Sequence, residues 1–369
     1  MPSADQILAG LRQIANTWQP LAIFWHVYGA VFAGALLAGR GPSRRIGGML
    51  LVLPVLSVSV VAWLSSNPFN GTMFAFIAVL LTLVSRRLPR ETVHAGPPWT
   101  RIAGILMVIF GLVYPHFLET PTFAAYLYAA PTGLIPCPTL SLLIGLCLLM
   151  DGVCSMALPL TLGAAGMFYG ATGVLQLGVS LDWVLLVGAV VIVFLATVHG
   201  KGLAGDRSPA GSQPMTGWGV GPRLAVMVLA CYVLAVTVQL SNPDLLSMST
   251  TPHGLFRVAG SVLIVLGLLL WGSGARVIDR AFREGRLLTT GAYALVRNPM
   301  YSGFIVLVSP GIALWFRSWA LLAVSVAAYG IAKILIKREE HYLDEKFGQA
   351  FLDYRSRVNA LIPLIKFRT

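Results

Sequence analysis

The stretch YSGFIVLVSPGIALWF at residues 301–316, the pair Arg317-Ser318, and WALLAVSVAAYGIAKILI at residues 319–336 make two apolar runs joined by a short polar break. A hydrocarbon core of about 30 Å takes about 20 helical residues at about 1.5 Å each, so two such runs back to back predict a membrane hairpin. Outward from it, runs of similar character recur near 255–275 and 223–240, then near 181–198, 153–174, 137–150, 102–118, 71–85, 46–64 and 21–39. With the hairpin they number eleven, several of them short. Composition agrees: 57% of the 369 residues are apolar and 11% are charged, against roughly 25% charged in a soluble domain. A soluble enzyme, a disordered tail and a nucleic-acid module are excluded. The expected fold is an all-α polytopic membrane protein, about eleven transmembrane helices in two bundles, followed by a C-terminal amphipathic helix.

The formal charge of +12 reads first as a topology signal. Arg40, Arg44 and Arg45 follow the first run; Arg86, Arg87, Arg90 and Arg101 follow the third. Lys201 and Arg207 follow the seventh, and Arg276, Arg280, Arg283, Arg286 and Arg297 follow the ninth. The intervening loops are nearly bare of Lys and Arg, so the positive-inside rule puts the N-terminus outside and the C-terminus in the cytoplasm. No basic-aromatic patch supports binding to nucleic acid. The first twenty residues lack a basic n-region followed by a small-residue cleavage site, so no removable signal peptide is expected.

Residues 200–222 (GKGLAGDRSPAGSQPMTGWGVGP) are rich in Gly, Pro and Ser and have no helical period. They divide the chain into a seven-span membrane domain of unknown function at 1–199, a cytoplasmic linker at 200–222 and a second membrane domain at 223–369. The glycine-rich run Gly217 to Gly221 has no strand before it, which argues against a dinucleotide site. Cys137, Cys147, Cys154 and Cys231 have no metal-ligand spacing and read as small core residues, and no metal site is expected. Asn70-Gly71-Thr72 is a formal glycosylation sequon, of a length that occurs by chance.

The acids are uneven. Asp279, Glu284, Glu339, Glu340, Asp344, Glu345 and Asp353 are half of the fourteen, all in the last quarter of the chain. Ionisable residues are costly in lipid, so their clustering places any chemistry in the C-terminal domain. Two segments carry it. In Arg297-Asn298-Pro299-Met300-Tyr301-Ser302-Gly303, Pro299 disfavours helix at Asn298 and opens one at itself, which puts Arg297 and Asn298 in an extended turn at the membrane face. After the hairpin, Leu343, Phe347, Phe351 and Tyr354 recur at helical spacing and predict an apolar stripe able to lie on the membrane surface. Glu339 and Lys346 share a face about 10 Å apart on a continuous helix. The adjacent Glu339-Glu340 pair repels itself unless a cation, a donor or a hydroxylated ligand compensates.

These residues resemble the isoprenylcysteine carboxyl methyltransferase family of integral membrane methyltransferases, which are themselves similar to phospholipid N-methyltransferases. The family pattern is Arg-His-Pro-x-Tyr-x-Gly, a membrane hairpin of about forty residues, then Glu-Glu-x-x-Leu-x-x-x-Phe-Gly-x-x-Tyr-x-x-Tyr. Here the first motif is Arg297 to Gly303. The second is Glu339, Glu340, Leu343, Phe347, Gly348, Phe351 and Tyr354, ending at Ile362-Pro363. The resemblance covers about residues 254–365. It departs from the family at Asn298, where prenylcysteine enzymes have histidine, and at Lys346, where many members have arginine. A lysine is a point charge and not a planar fork, so the likeness is firmer for the cofactor than for the substrate. Residues 1–198 separately resemble an uncharacterised bacterial membrane domain, in Asn67-Pro68-Phe69-Asn70 and Ile135-Pro136-Cys137-Pro138-Thr139, and this resemblance supplies no activity.

The family resemblance implies S-adenosyl-L-methionine as cofactor, without a Rossmann fold. It implies Asn298, Tyr301, Gly303, Glu339 and Glu340 as cofactor-binding residues, with Arg297, Lys346 and Glu340 as catalytic candidates and the two bases orienting an acidic group on the acceptor. The expected acceptor is amphiphilic, its tail among membrane lipids and its reacting head at the cytoplasmic face of what reads as a bacterial inner membrane. Two other readings stand beside this one. Membrane sterol reductases resemble the same region and bind NADPH, for which Lys346, Arg355 and Arg357 are available. A non-catalytic lipid-binding protein would use the tail only as an anchor.

Overall fold

A computed structural model describes residues 3–93, 96, 98–120, 122–150, 155–199, 219–248 and 253–362. Cys154, most of the linker and Pro363 lie outside the described residues, as do the side chains of Asp279 and Arg283. Among the described residues all regular structure is helical apart from two isolated bridges. The chain divides into two compact units, Met1–Arg207 and Ser208–Thr369.

In the first unit, α1 (Ala4–Thr17) opens on a capping box between Ser3 and Gln6. It is followed by α2 (Gln19–Leu37), α3 (Arg44–Leu64), α4 (Pro68–Arg86), α5 (Pro98–Val113), α6 (Pro136–Leu149), α7 (Ala157–Leu175) and α8 (Asp182–His199). The side chain of Asn67 accepts from the Asn70 backbone and Pro68 fills the first helical position, which together start α4. Helix α6 is buried on every side, the mark of a helix at the centre of a bundle. Asn70 is itself buried and accepts from the Tyr169 hydroxyl at 3.0 Å, which takes the sequon out of reach of a glycan. The Cys137 thiol is more than a space filler. It donates to one oxygen of buried Asp182 at 3.2 Å while the Tyr114 hydroxyl donates to the other at 2.8 Å, satisfying the carboxyl.

The second unit is built from α9 (Gly221–Ser241), α10 (His253–Arg283), α11 (Pro299–Trp315), α12 (Trp319–Phe347) and α13 (Gln349–Arg357). The expected hairpin is α11 and α12. Its turn is fixed by Ser318, whose hydroxyl accepts from Leu321 and donates to Gln239, and by Arg317, whose Nε donates to the Met248 carbonyl at 3.0 Å. Within α11, residues Gly303–Val308 widen into a π-turn. Pro310 lies just beyond it and has no N–H to return to the preceding turn. At 29 residues, α12 is about 43 Å long. It therefore outruns a core of about 30 Å, and its last turns, from Glu339 on, project past the lipid.

Two expectations change. Seven described helices, α2, α3, α4, α7, α9, α10 and α12, are long and apolar enough to cross a membrane, while the apolar segments in α5, α6, α8 and α11 are shorter. The molecule is a multi-pass membrane protein, but eleven apolar runs are not eleven helices of spanning length. The tail stripe also turns inward. Gly348, at φ +51, ends α12 in the left-handed region and redirects the chain. Phe351 and Tyr354 are then buried against the unit, with the Tyr354 hydroxyl donating to the Tyr293 carbonyl at 2.5 Å.

A candidate active site at one end of the second unit

The helix directions bring the start of α9, the end of α10, the start of α11 and the end of α12 to one end of the unit. There they enclose a cleft. Ile278 and Ala281 of α10 and the following Gly285–Leu288 form one wall. Tyr293 and Arg297–Tyr301 form the floor, and Glu339, Glu340, Leu343 and Lys346 of α12 with Phe351 and Tyr354 of α13 close the other side. The two sequence motifs therefore meet, as their chemistry requires. The floor is held from below by the end of the chain: the Arg297 and Asn298 backbone amides donate to the Asn359 and Ala360 carbonyls at 2.8 and 3.2 Å. The Ser302 hydroxyl donates to the Leu361 carbonyl.

At the centre lies an ion pair. Arg297 Nη2 is 2.8 Å from Glu340 Oε1, with the two side chains only 10% and 14% exposed. The other Glu340 oxygen faces Arg355 Nε at 3.6 Å. Burial pulls the Arg297 guanidinium below its usual pKa and the Glu340 charge opposes that pull. Burial likewise raises the Tyr293 and Tyr354 hydroxyls well above the ordinary tyrosine range, so both stay neutral donors. The Nε and Nη1 atoms of Arg297 are buried without an acceptor. Each such orphan donor costs about 1–3 kcal/mol, a penalty that an oxygen-bearing ligand in the cleft would remove.

The other expected residues divide. Asn298 lines the cleft, but its side-chain amide already donates to the Ala360 carbonyl at 3.2 Å. Lys346 stands at the exposed mouth, its ammonium 5.7 Å from the Tyr342 ring centre and 5.4 Å from that of Phe347. Glu339 receives the Tyr301 hydroxyl at 3.3 Å and the Val220 backbone N–H, which also reaches Tyr301. Gly303, expected with the cofactor residues, is elsewhere. It is buried where α11 crosses α10, and a Cβ on it would stand 2.6 Å from the Gly267 carbonyl oxygen. Arg355 and Arg357, the bases available to a dinucleotide phosphate, are turned to Glu340 and to the Asp353 carbonyl. Among the described residues no cluster of His, Cys, Asp and Glu is fit to hold a metal.

A second cavity adjoins the first. It is a groove of about 510 Å³ between α9, α10 and α11, lined by Leu224, Val228, Leu229 and Tyr232, by Trp271, and by Met300, Tyr301, Phe304 and Ile305. Its walls are almost wholly apolar, and Leu229 and Trp271 also lie exposed on the surface of two helices long and apolar enough to cross a membrane. Met300 and Tyr301 line both cavities. The groove was invisible in the sequence because its lining residues are ordinary members of apolar helices. So was the part played by Tyr293, whose backbone carbonyl receives the Tyr354 hydroxyl.

Residues 255–350 match the phospholipid methyltransferase family. The chain is 27% identical over 115 residues to protein-S-isoprenylcysteine O-methyltransferase B of Arabidopsis thaliana, an alignment covering 29% of this chain and 58% of that protein. It is 33% identical over 89 residues to protein-S-isoprenylcysteine O-methyltransferase of Schizosaccharomyces pombe, covering 24% and 38%. With a probable protein-S-isoprenylcysteine O-methyltransferase of Oryza sativa subsp. japonica it shares 21% identity over 154 residues, covering 38% and 81%. The chain thus spans a little over half the length of the Arabidopsis relative. No solved structure matches it. The phospholipid methyltransferase match, at residues 255–350, lies within the second unit and takes in both motif starts, Arg297 and Glu339.

Proposed function

We propose that the second unit is an S-adenosylmethionine-dependent methyltransferase acting on a lipophilic acceptor, with the donor in the polar cleft and the acceptor tail in the adjoining groove. The observation that carries this is the pairing of the two cavities: a cleft with orphaned Arg297 donors, and an apolar groove sharing its Met300–Tyr301 wall. The residues fit the donor molecule. Glu340 keeps lone pairs beyond its two arginine contacts for ribose hydroxyls or an ammonium, and Tyr342, Leu343 and Phe347 give the cleft an apolar side. When bound, S-adenosylmethionine supplies a methyl group on a sulfonium, open to in-line attack. The chain then has to position and dehydrate. Arg297 takes an acidic group of the acceptor on its free N–H groups, Lys346 steers that group in at the mouth, and the groove walls keep water from the acceptor tail. Holding both reactants in line supplies several kcal/mol without a covalent catalyst. The basic loops support a cleft that opens on the cytoplasmic side.

The test is incubation of the purified full chain with isotopically labelled S-adenosylmethionine and a total membrane lipid extract, followed by identification of the labelled lipid. Label in a lipid with an acidic head is expected. Absence of both label and donor binding would sink the reading. In the same assay Arg297→Met is expected to lower transfer about 100-fold while donor affinity stays within about twofold. A tenfold loss of donor affinity would instead assign Arg297 to the donor.

A further inference from the structure

Tyr301 occupies a singular place: it opens α11, its ring lines the cleft on one side and the groove on the other, and it is buried. An acceptor whose tail lies in the groove and whose head reaches a donor in the cleft must lie across this ring or the neighbouring Met300. The hydroxyl of Tyr301 is fixed from two directions. It donates to Glu339 at 3.3 Å, and the backbone N–H groups of Val220 and Gly221, at the start of α9, approach it. Glu339 is bound in the same knot, accepting from Val220. Gly219, at φ +52, presses so close that a Cβ there would lie 2.7 Å from Glu339 Oε1. The carboxylate of Glu339 is thus spent on Tyr301 and on the first turn of α9, whereas that of Glu340 faces the cleft arginine.

We propose that Glu339 is a positioning residue that acts through Tyr301, locking its ring as the partition across which methyl donor and lipid acceptor are aligned. This rests on the methyltransferase reading above and departs from the sequence expectation that both glutamates hold the cofactor. The aromatic ring is suited to the place. A cationic sulfonium is attracted to a ring face, and a ring fixed at its hydroxyl cannot turn aside when the acceptor tail enters. Without the carboxylate, the ring and the start of α9 lose their common anchor, and donor and acceptor fall out of line while the donor's own contacts persist.

The experiment uses the full chain in lipid nanodiscs, with donor affinity by titration and transfer rate at saturating donor against increasing membrane lipid extract. Glu339→Ala is expected to lower kcat about 30-fold, with donor Kd within about twofold, the scale on which a displacement of about 1 Å acts. Glu339→Gln, which can still accept from Val220 and Tyr301, recovers most of that loss. Tyr301→Leu matches Glu339→Ala, and the double variant is no slower than Tyr301→Leu, because both act through one ring. Tyr301→Phe removes only the hydroxyl, should leave the fold intact, and is expected to lower kcat about fivefold with donor Kd unchanged; it keeps the proposal testable if Glu339→Ala does not fold. A tenfold loss of donor affinity in Glu339→Ala, multiplicative losses in the double variant, or unaltered kcat in Tyr301→Phe would each overturn the proposal while the wild type still transfers methyl groups. A wild type that neither binds donor nor labels lipid would overturn the parent reading instead.

Discussion

Glu340→Ala is expected to destabilise the second unit by about 3–5 kcal/mol, several times more than Arg297→Met, although the two residues are partners in one ion pair. The asymmetry comes from what each deletion leaves behind. Without Glu340, the Arg297 guanidinium stays in a pocket where it is only 10% exposed, with no carboxylate in reach of Nη2 and with Nε and Nη1 already orphaned. Arg355, on the far side of the missing carboxylate, then adds a like charge. Without Arg297, Glu340 keeps Arg355 at 3.6 Å, and that arginine is half exposed. An uncompensated buried charge is the expensive outcome, and only the first deletion produces it. For a unit of this size the penalty amounts to a fall in Tm of roughly 10 °C, measurable by thermal unfolding in detergent. Glu340→Gln, which keeps an acceptor oxygen but no charge, should fall between. Equal shifts for Glu340→Ala and Arg297→Met would show that the pair is not the buried centre of the cleft.

Much of this architecture could be read in the residues themselves. The hairpin of α11 and α12 was legible because lipid leaves an apolar run few alternatives to a helix. The meeting of Arg297 with Glu340 followed from two polar motifs flanking such a hairpin, since both must emerge at the same membrane face. Other features were hidden for physical reasons. Helix α6 is apolar all round because protein surrounds it, and composition does not distinguish a helix buried in a bundle from one in lipid, so eleven apolar runs do not by themselves fix eleven spans. The stripe of Leu343, Phe347, Phe351 and Tyr354 was ambiguous in the same way. Only the left-handed turn at Gly348 decides that Phe351 and Tyr354 face the unit. The role of Glu339 depends on the Val220 amide, more than a hundred residues earlier in the chain, and no periodicity reports such a contact.

Gly303→Leu is expected to abolish methyl transfer and to leave little folded protein, although Gly303 touches neither cavity. Helix α10 carries Gly260, Gly267 and Gly274 at seven-residue spacing, and these meet Gly311, Gly303 and Pro299 of α11 in turn. A Cβ on Gly303 would lie 2.6 Å from the Gly267 carbonyl oxygen and 3.0 Å from the Trp271 nitrogen; one on Gly267 would lie 2.6 Å from the Gly303 oxygen. The obstacles are backbone atoms, so no side chain can swing aside and the helices themselves must part. Small residues permit this kind of close crossing in lipid, where packing and not hydrophobic burial holds helices together. Gly303→Ala should cost about 1–3 kcal/mol, and the branched leucine more. The damage reaches the chemistry because Trp271, Met300 and Tyr301 ride on the two helices being forced apart and together line the groove. A shift of about 1 Å there is enough to lose roughly 100-fold in rate. Gly330 of α12 provides the comparison, since a Cβ on it meets nothing within 4 Å and Gly330→Ala should be neutral or slightly stabilising. The measurement is the yield of monodisperse protein and the transfer rate for Gly303→Ala, Gly303→Leu and Gly330→Ala. If Gly303→Ala behaved like Gly330→Ala, the backbone crossing would not be what sets the distance between the two helices, and the motif glycine would need a role at the cleft after all.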